Sequence, residues 1–327
     1  MATSSTKIVI NDDVLQQYKD TCIKWDPVLR ALPLRSANDV LQHMTGVPGI
    51  RGKKKFGFIS GKSQFGPFKR DRQNEATINI DFREIETFHG NVVETFAPVD
   101  YIDLPIAYDD PVITDAIKQA GSTLMVLMQL QAARGQHIAQ AAFTGKRNAE
   151  GDTTGDLCDG LLTIADKEIL AGNISVEKGN LYKVSEAVTG ANAVDIAKDI
   201  LFSSNPFLRR ENSIMLCSTD FADKYNESYL LSHSGISYNT QYDQPFVEGS
   251  GRKLTLIPLP ELDGTDKAII TQKANLLYGY YNAADQTSID IIKDGHYGLS
   301  FASDMWLGFQ FHTIDPRRLR IVDFKVN

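Results

Sequence analysis

Hydrophobic positions along this chain change their period several times, and each change marks an element. Near the N-terminus Asp12 and Asp13 precede Val14, Leu15 and Tyr18 at helical spacing, and Ser36 or Asn38 stands as N-cap ahead of Val40, Leu41 and Met44. This predicts two short helices, loosely joined, with too little apolar surface for a core of their own. The Pro48-Gly49 pair then breaks the chain. Glycines at 49, 52, 57, 61 and 66 punctuate the next segment, and Thr77-Ile78-Asn79-Ile80-Asp81-Phe82 alternates polar with apolar as a half-buried strand does. Asn91-Val92-Val93-Glu94-Thr95-Phe96 continues in extended style after His89-Gly90, so residues 49–100 read as a long β-ribbon with a glycine-rich tip.

The longest predicted helix covers 109–143. Asp109 or Asp110 caps it, Pro111 suits its first turn, and Ile113, Ile117, Ala120, Leu124, Leu127 and Met128 recur at spacings of three and four. Gly121 and Gly135 lower its intrinsic stability, so packing must hold it, and Phe143-Thr144-Gly145 stops it. Beyond it, residues 157–164 read as an apolar strand and 181–184 as a short one. Asn192 caps a helix over 193–202 that ends before Asn205-Pro206, residues 214–216 read as a buried strand, and Ser218 caps a helix over 221–231. Together these make a small mixed α/β lobe. The remainder is strand: 254–259, 268–270, 276–278, 288–292, 305–311 and 319–324.

Charge changes the picture at one place. Residues 51–72 hold eight basic side chains, Arg51, Lys53, Lys54, Lys55, Lys62, Lys69, Arg70 and Arg72, against one acid, Asp71, in a chain whose net charge is −7. A basic projection therefore stands on an acidic body. Three readings are open: a solvated loop; nucleic-acid contact, since Phe56, Phe58, Phe65 and Phe68 interleave with the charges; or docking onto the acidic face of a neighbouring copy, which alone uses both halves of the asymmetry. The 327 residues, 42% hydrophobic and 23% charged, suffice for two or three lobes. A globally acidic chain argues against a nonspecific DNA coat.

The familiar chemical motifs are missing. No GxGxxG follows a strand, and no HExxH or GxSxG occurs. The nearest phosphate-loop pattern, Gly57-Phe58-Ile59-Ser60-Gly61-Lys62-Ser63, is one residue short and is followed by Gly66-Pro67 rather than a helix. The histidines His43, His89, His137, His233, His296 and His312 share no metal-ligand spacing. Asp100, Asp103, Asp109 and Asp110 could supply an acid–base pair, but capping and loop solvation account for them, as they do for Asp290, Asp294 and Asp304. Cys22, Cys158 and Cys217 form no CxxC and read as buried, reduced packing residues. No signal-peptide layout opens the chain, and its most apolar stretch, 124–130, contains Gln129 and is too short to span a bilayer. These features predict a protein made and soluble in a cytoplasm, with no cofactor or metal, that is not an enzyme.

The order of arm, basic ribbon, long helix, mixed lobe and late strands resembles the HK97-like major capsid proteins of tailed bacteriophages. Glu86-Thr87-Phe88-His89-Gly90-Asn91-Val92 followed by Phe96-Ala97-Pro98 resembles the run entering the spine region of such proteins. Phe143-Thr144-Gly145-Lys146-Arg147-Asn148 is similar to the element after their long helix, and Asn275-Leu276-Leu277-Tyr278-Gly279 to the strand leading from the axial domain back to the peripheral one. The resemblance implies an α+β fold with an N-terminal arm (1–48), an E-loop (49–100), a peripheral domain built on a spine helix (101–189 with 284–311) and an axial domain (190–283 with 312–327). It implies self-assembly through hexamers and pentamers into a phage head around double-stranded DNA held without sequence specificity, with portal and scaffolding partners and no membrane. Assembly would take place in the host bacterial cytoplasm and the product would be the virion capsid. The arm starts at once, so a scaffolding segment is expected to be separate or already absent. Lys53, Lys54, Lys55 and Lys62 lie where some members cross-link to asparagine, but no such bond is predicted here. An encapsulin-like cargo compartment would share the fold, and a soluble α/β enzyme is the remaining alternative.

Overall fold

In a computed structural model, residues 12–62, 65–70, 77–97, 115–232, 245–281, 289–295 and 298–325 are described. In chain order the elements are α1 (Asp12–Ser36), α2 (Asn38–Leu41), β1 (Thr45–Val47), β2 (Lys53–Lys62), β3 (Thr77–Glu86), β4 (Phe88–Phe96), α3 (Asp115–Thr144), α4 (Leu161–Leu170), β5 (Leu181–Lys183), α5 (Ala193–Phe202), α6 (Pro206–Arg210), β6 (Ser213–Cys217), α7 (Thr219–Ser232), β7 (Leu254–Pro258), β8 (Lys267–Thr271), β9 (Leu276–Tyr280), β10 (Asp290–Asp294), β11 (Gly298–Phe311) and β12 (Leu319–Asp323). The residues expected to cap the long helix, Asp109, Asp110 and Pro111, lie outside the described residues, as do Asp100, Asp103, His233, His296 and Arg72.

The N-terminal region departs from the expectation of two short, coreless helices. α1 runs for 25 residues through Pro27 and Pro33. Its apolar residues Leu15, Tyr18, Cys22, Trp25 and Leu29 recur at three and four, and they close a core with Leu124, Leu127, Phe96, Ile291, Leu299 and Phe301. Burial against α3 outweighs the local cost of the prolines. Gly135 of α3 is where the two helices touch most closely: a Cβ there would lie 2.5 Å from the Pro33 carbonyl oxygen and from Ser36 Cβ. The mid-helix glycine, unfavourable by propensity, is thus a packing requirement.

Two sheets carry the body. In one, the order is β1-β9-β11-β10, with β4 also on β11. The 14-residue β11 spans this sheet: its C-terminal end pairs with β9 through Leu307–Phe311, and its N-terminal part lies between β10 and β4. The other sheet has the order β5-β12-β8-β6-β7, parallel at β5/β12 and β6/β7. It is covered on both faces, and its residues alternate accordingly. Leu216, Ile269 and Ile321 enter a core with α4 and the C-terminal half of α3, whereas Met215, Ile270 and Val322 enter one with α5 and α7.

The predicted strand over 157–164 is instead the approach to α4. Leu161, Leu162, Ile164 and Ala165 are all buried, a helical and not an alternating pattern, and the helix runs on to Leu170 behind Gly160. Asn192 occupies the N-cap position of α5, as expected, but its side chain makes no capping bond; its Oδ1 accepts from the Thr189 backbone N–H and hydroxyl and so closes the preceding turn. A short helical turn, α6, follows the Asn205-Pro206 break. Asn205 caps it by accepting from the Phe207 N–H, with Pro206 at the first position. Ser218 accepts from the Phe221 N–H at the start of α7, as expected.

Candidate functional site: the projecting ribbon

Among the described residues β2 and β3 pair only with each other, antiparallel, from Lys53↔Glu86 to Lys62↔Thr77. A two-stranded ribbon alone in water is marginal, so its root and its outer half need separate accounts. The root is fixed to the body. Thr87, between β3 and β4, is buried; its hydroxyl donates to the Ile50 carbonyl at 3.0 Å, and its N–H donates to the Gly52 carbonyl at 2.7 Å. Just before it the ribbon backbone crosses β9 and β11 at Gly279 and Gly308, which face each other in register. A Cβ on Gly308 would overlap the Glu86 carbonyl oxygen, and one on Gly279 would lie 2.8 Å from Thr87 Cγ2. The pair forms a saddle that only glycine can supply.

Strand alternation then gives the ribbon two unlike faces. Ile85 is fully buried, and Phe56 and Phe58 stand edge-on to His312 with ring centroids 6.2 and 6.3 Å away. The Arg318 guanidinium lies 5.2 Å over Phe58. Burial, and then the Arg318 charge, push the His312 pKa below its usual value. Arg83, opposite Phe56, donates from Nε to the Phe311 carbonyl at 3.1 Å, and from Nη2 to Glu168 Oε1 at 2.8 Å and Gln310 Oε1 at 3.0 Å. On the reverse face near the root, Lys53 Nζ is 3.2 Å from Glu84 and 3.4 Å from Glu86, and these carboxylates, Glu84 first, hold its ammonium above its usual pKa.

Farther out, that reverse face is apolar, and no described residue covers it. Ile59, Ile78, Ile80 and Phe82 form a ladder across the two strands, with exposures of 69%, 64%, 50% and 68%. Phe65 and Phe68, in the segment joining the strands, are almost wholly exposed. Contiguous exposed apolar surface of this kind marks an interaction site.

The seven described basic residues do not form one tip. Lys53, Lys54 and Lys55 begin β2 at the root, and Arg51 stacks 3.7 Å over the Tyr281 ring. Lys62 ends β2, about 30 Å along the strand from Lys53 at ~3.3 Å per residue. Lys69 and Arg70 are exposed in the joining segment. Of the four phenylalanines interleaved with the charges, Phe56 and Phe58 are committed to the body, while Phe65 and Phe68 are open to a partner. The charge count dominates this region of the sequence and masks the apolar ladder, whose signal is the alternation of 78, 80 and 82.

Among the described residues no group of three or more His, Cys, Asp and Glu is placed to hold a metal ion. His89 Nε2 pairs with Asp304 at 2.6 Å and stacks on Trp306, and Asp294 Oδ2 accepts from the Thr95 hydroxyl. Burial pushes the thiols of Cys22, Cys158 and Cys217 up to about 12, consistent with packing residues. The small recess bounded by Arg209, Lys253, Ser204 and Ser213 holds no nucleophile–base pair: both serine hydroxyls donate to backbone carbonyls, of Ile200 and Leu208.

No family model and no curated protein matches this sequence. Solved structures do. A chain of the satellite phage P4 procapsid, determined with its size determination (Sid) protein, superposes with a TM-score of 0.56 at 15% identity, covering 99% of this chain and 94% of that one. This chain has the HK97-like fold of phage capsid subunits. A chain of the capsid of an empty GTA particle (TM-score 0.52, 11% identity, 90% of this chain and 91% of that one) and one of Mycobacterium phage Adephagia (0.51, 11%, 88% and 90%) agree.

The three stretches that carry the resemblance in sequence are junctions of this capsid fold. Thr87 ties the ribbon root. Gly145 is wedged where a Cβ would lie 2.6 Å from the Ala141 and Cys158 carbonyl oxygens. Asn275, buried, donates to Thr271 Oγ1 and the Thr313 carbonyl and accepts from the Thr313 N–H, joining the two sheets where β9 leaves and β11 arrives.

Proposed function

We propose that this chain is a major capsid subunit that assembles with copies of itself into a closed phage head. The observation that carries the reading is the ribbon: its root is built into the body, and its outer half presents an apolar ladder that no described residue covers. A second copy supplies that cover, in a fold otherwise found in shells. In this reading 1–48 is the arm, 49–100 the E-loop, 101–189 with 284–311 the peripheral domain, and 190–283 with 312–327 the axial domain. Arg51, Lys53, Lys54, Lys55, Lys62, Lys69, Arg70 and Arg72 steer the ribbon toward an acidic neighbour, while Ile59, Ile78, Ile80 and Phe82 hold it there. Many such contacts per subunit add up to a stable shell.

The head encloses double-stranded DNA without sequence specificity and engages portal and scaffolding proteins. One structure with this fold is a procapsid that includes a size determination protein, which motivates a scaffold-type partner here. No helix among the described residues is long and apolar enough to cross a membrane. In this reading the chain assembles in the host cytoplasm and ends in the virion capsid.

Register supplies the test. Deleting residues 59–80 and joining Phe58 to Asp81, its partner in the ladder, through Asn-Gly keeps the root and removes most of the apolar surface. The truncated chain is expected to keep its near-ultraviolet circular dichroism and lose assembly. Shells formed as efficiently as by the full chain would overturn the reading.

A further inference from the structure

We infer that Arg83 is the positioning residue of the ribbon: its clasp on the body sets the direction in which the outer half leaves. The inference concerns the geometry of a single chain; only its consequence for assembly rests on the shell reading above.

Arg83 stands in the middle of the ribbon's body-facing side: two residues toward the root Ile85 is fully buried, and the next contact toward the tip is Phe58, opposite Asp81, against His312 and Arg318. The Arg83 side chain is itself only 14% exposed and reaches two different body elements. Nη2 donates to Glu168 of α4 and to Gln310 of β11, and Nε donates to the Phe311 carbonyl. A planar guanidinium sharing its donors among three acceptors fixes an orientation, where a single contact would only fix a distance.

Each acceptor is held in turn. Asn173 Nδ2 donates to Glu168 Oε2 at 2.7 Å. The Phe311 N–H donates to Gln310 Oε1, and Gln310 Nε2 donates back to the Glu84 carbonyl of the ribbon at 3.0 Å. The glycine saddle at Gly279 and Gly308 supplies close approach but no side-chain grip. It acts as a fulcrum, and the Arg83 network, beside the packing of Phe56 and Phe58 on His312, opposes rotation about it.

The experiment is a distance measurement by pulsed electron resonance. Spin labels are placed at Ile78→Cys on the ribbon and Leu170→Cys on the body, both exposed, while the native cysteines are buried. Labelled full-length chain is diluted into unlabelled chain, so that distances within one chain are read. With Arg83 present, a single narrow distribution is expected. Arg83→Met, which keeps the stem and removes the donors, should broaden it at least about twofold with an unchanged melting temperature. Arg83→Lys should give an intermediate width, since an ammonium cannot reproduce the fork, and Glu168→Gln should broaden it less than Arg83→Met because two acceptors remain. An unchanged width in both Arg83 variants overturns the inference whether or not the chain assembles. A chain that never assembles, yet broadens as described, overturns the shell reading and leaves the clasp standing.

Discussion

Replacing Ile80 and Phe82 together by threonine separates the ribbon's outer surface from the stability of the chain. Both residues lie on the open face, at 50% and 68% exposure, and threonine keeps the strand propensity of the ribbon. Complete burial of an Ile or Phe side chain contributes about 1.5–3 kcal/mol, so the part still open to water leaves about 1–2 kcal/mol per residue to be gained from a partner. Removing both should therefore weaken each ribbon contact by about 2–4 kcal/mol, which at ~1.4 kcal/mol per decade raises the critical assembly concentration about 30-fold or more. Neither side chain supports the isolated fold, so unfolding should shift by no more than about 0.5 kcal/mol. Sedimentation of assembled against free chain over a concentration series, beside a thermal melt, reads both quantities. An unchanged critical concentration, or a large drop in melting temperature, would refute the claim that this face is reserved for another copy.

Three further outcomes are expected. Changing Lys53, Lys54 and Lys55 together to Gln should reduce shell yield more at about 10 mM salt than at about 150 mM, where the Debye length has shortened from about 30 Å to ~8 Å; equal loss at both, read by light scattering, would remove the steering role. Gly308→Ala should destabilise the chain by about 1–3 kcal/mol, because the Glu86 carbonyl occupies the space of the new methyl, and calorimetry that finds no change would show that the saddle can yield. His312 has a lowered pKa in the docked root, so an undocked root binds the proton more readily. Docking is then fully stable above the ordinary histidine value of about 6.5 and weakens as pH falls below it. Hydrogen exchange of the ribbon-root amides, corrected for its intrinsic pH dependence, should accelerate from about pH 7 to about pH 5.5 in the natural chain and not in His312→Gln.

Periodicity carries information unevenly along this chain, and that sets how much of the fold is legible in the sequence. The alternation of 77–82 and the three- and four-residue spacing of Leu124, Leu127 and Met128 report a strand and a helix correctly, because one face of each differs from the other. Residues 157–164 mislead because a short apolar run contains too few positions to separate the two periods, and the decisive residues, Ala165 to Leu170, lie beyond it. In β11, which spans Gly298–Phe311, only 305–311 reads as strand from the sequence. Its first half is hidden by Ser300 and Ser303, polar yet buried, whose acceptance inside the sheet is a tertiary matter. α1 extends past Pro27 and Pro33, which locally argue for a stop, because long-range burial on α3 overrides them. In the ribbon, Phe56 and Phe58 on one face and Ile59, Ile78, Ile80 and Phe82 on the other make two apolar ladders. Only the placement of His312, Arg318 and Glu168, more than eighty residues away in sequence, decides which one turns inward. Arg83 offers no local signal for the same reason.

The most direct test of the account is to purify the full-length chain and image it by negative-stain electron microscopy, with light scattering across concentration and salt. The account predicts rings, tubes or closed shells that appear above a threshold concentration and are lost when residues 59–80 are removed. A monodisperse monomer at every concentration and salt, behaving identically with and without the outer ribbon, would contradict it.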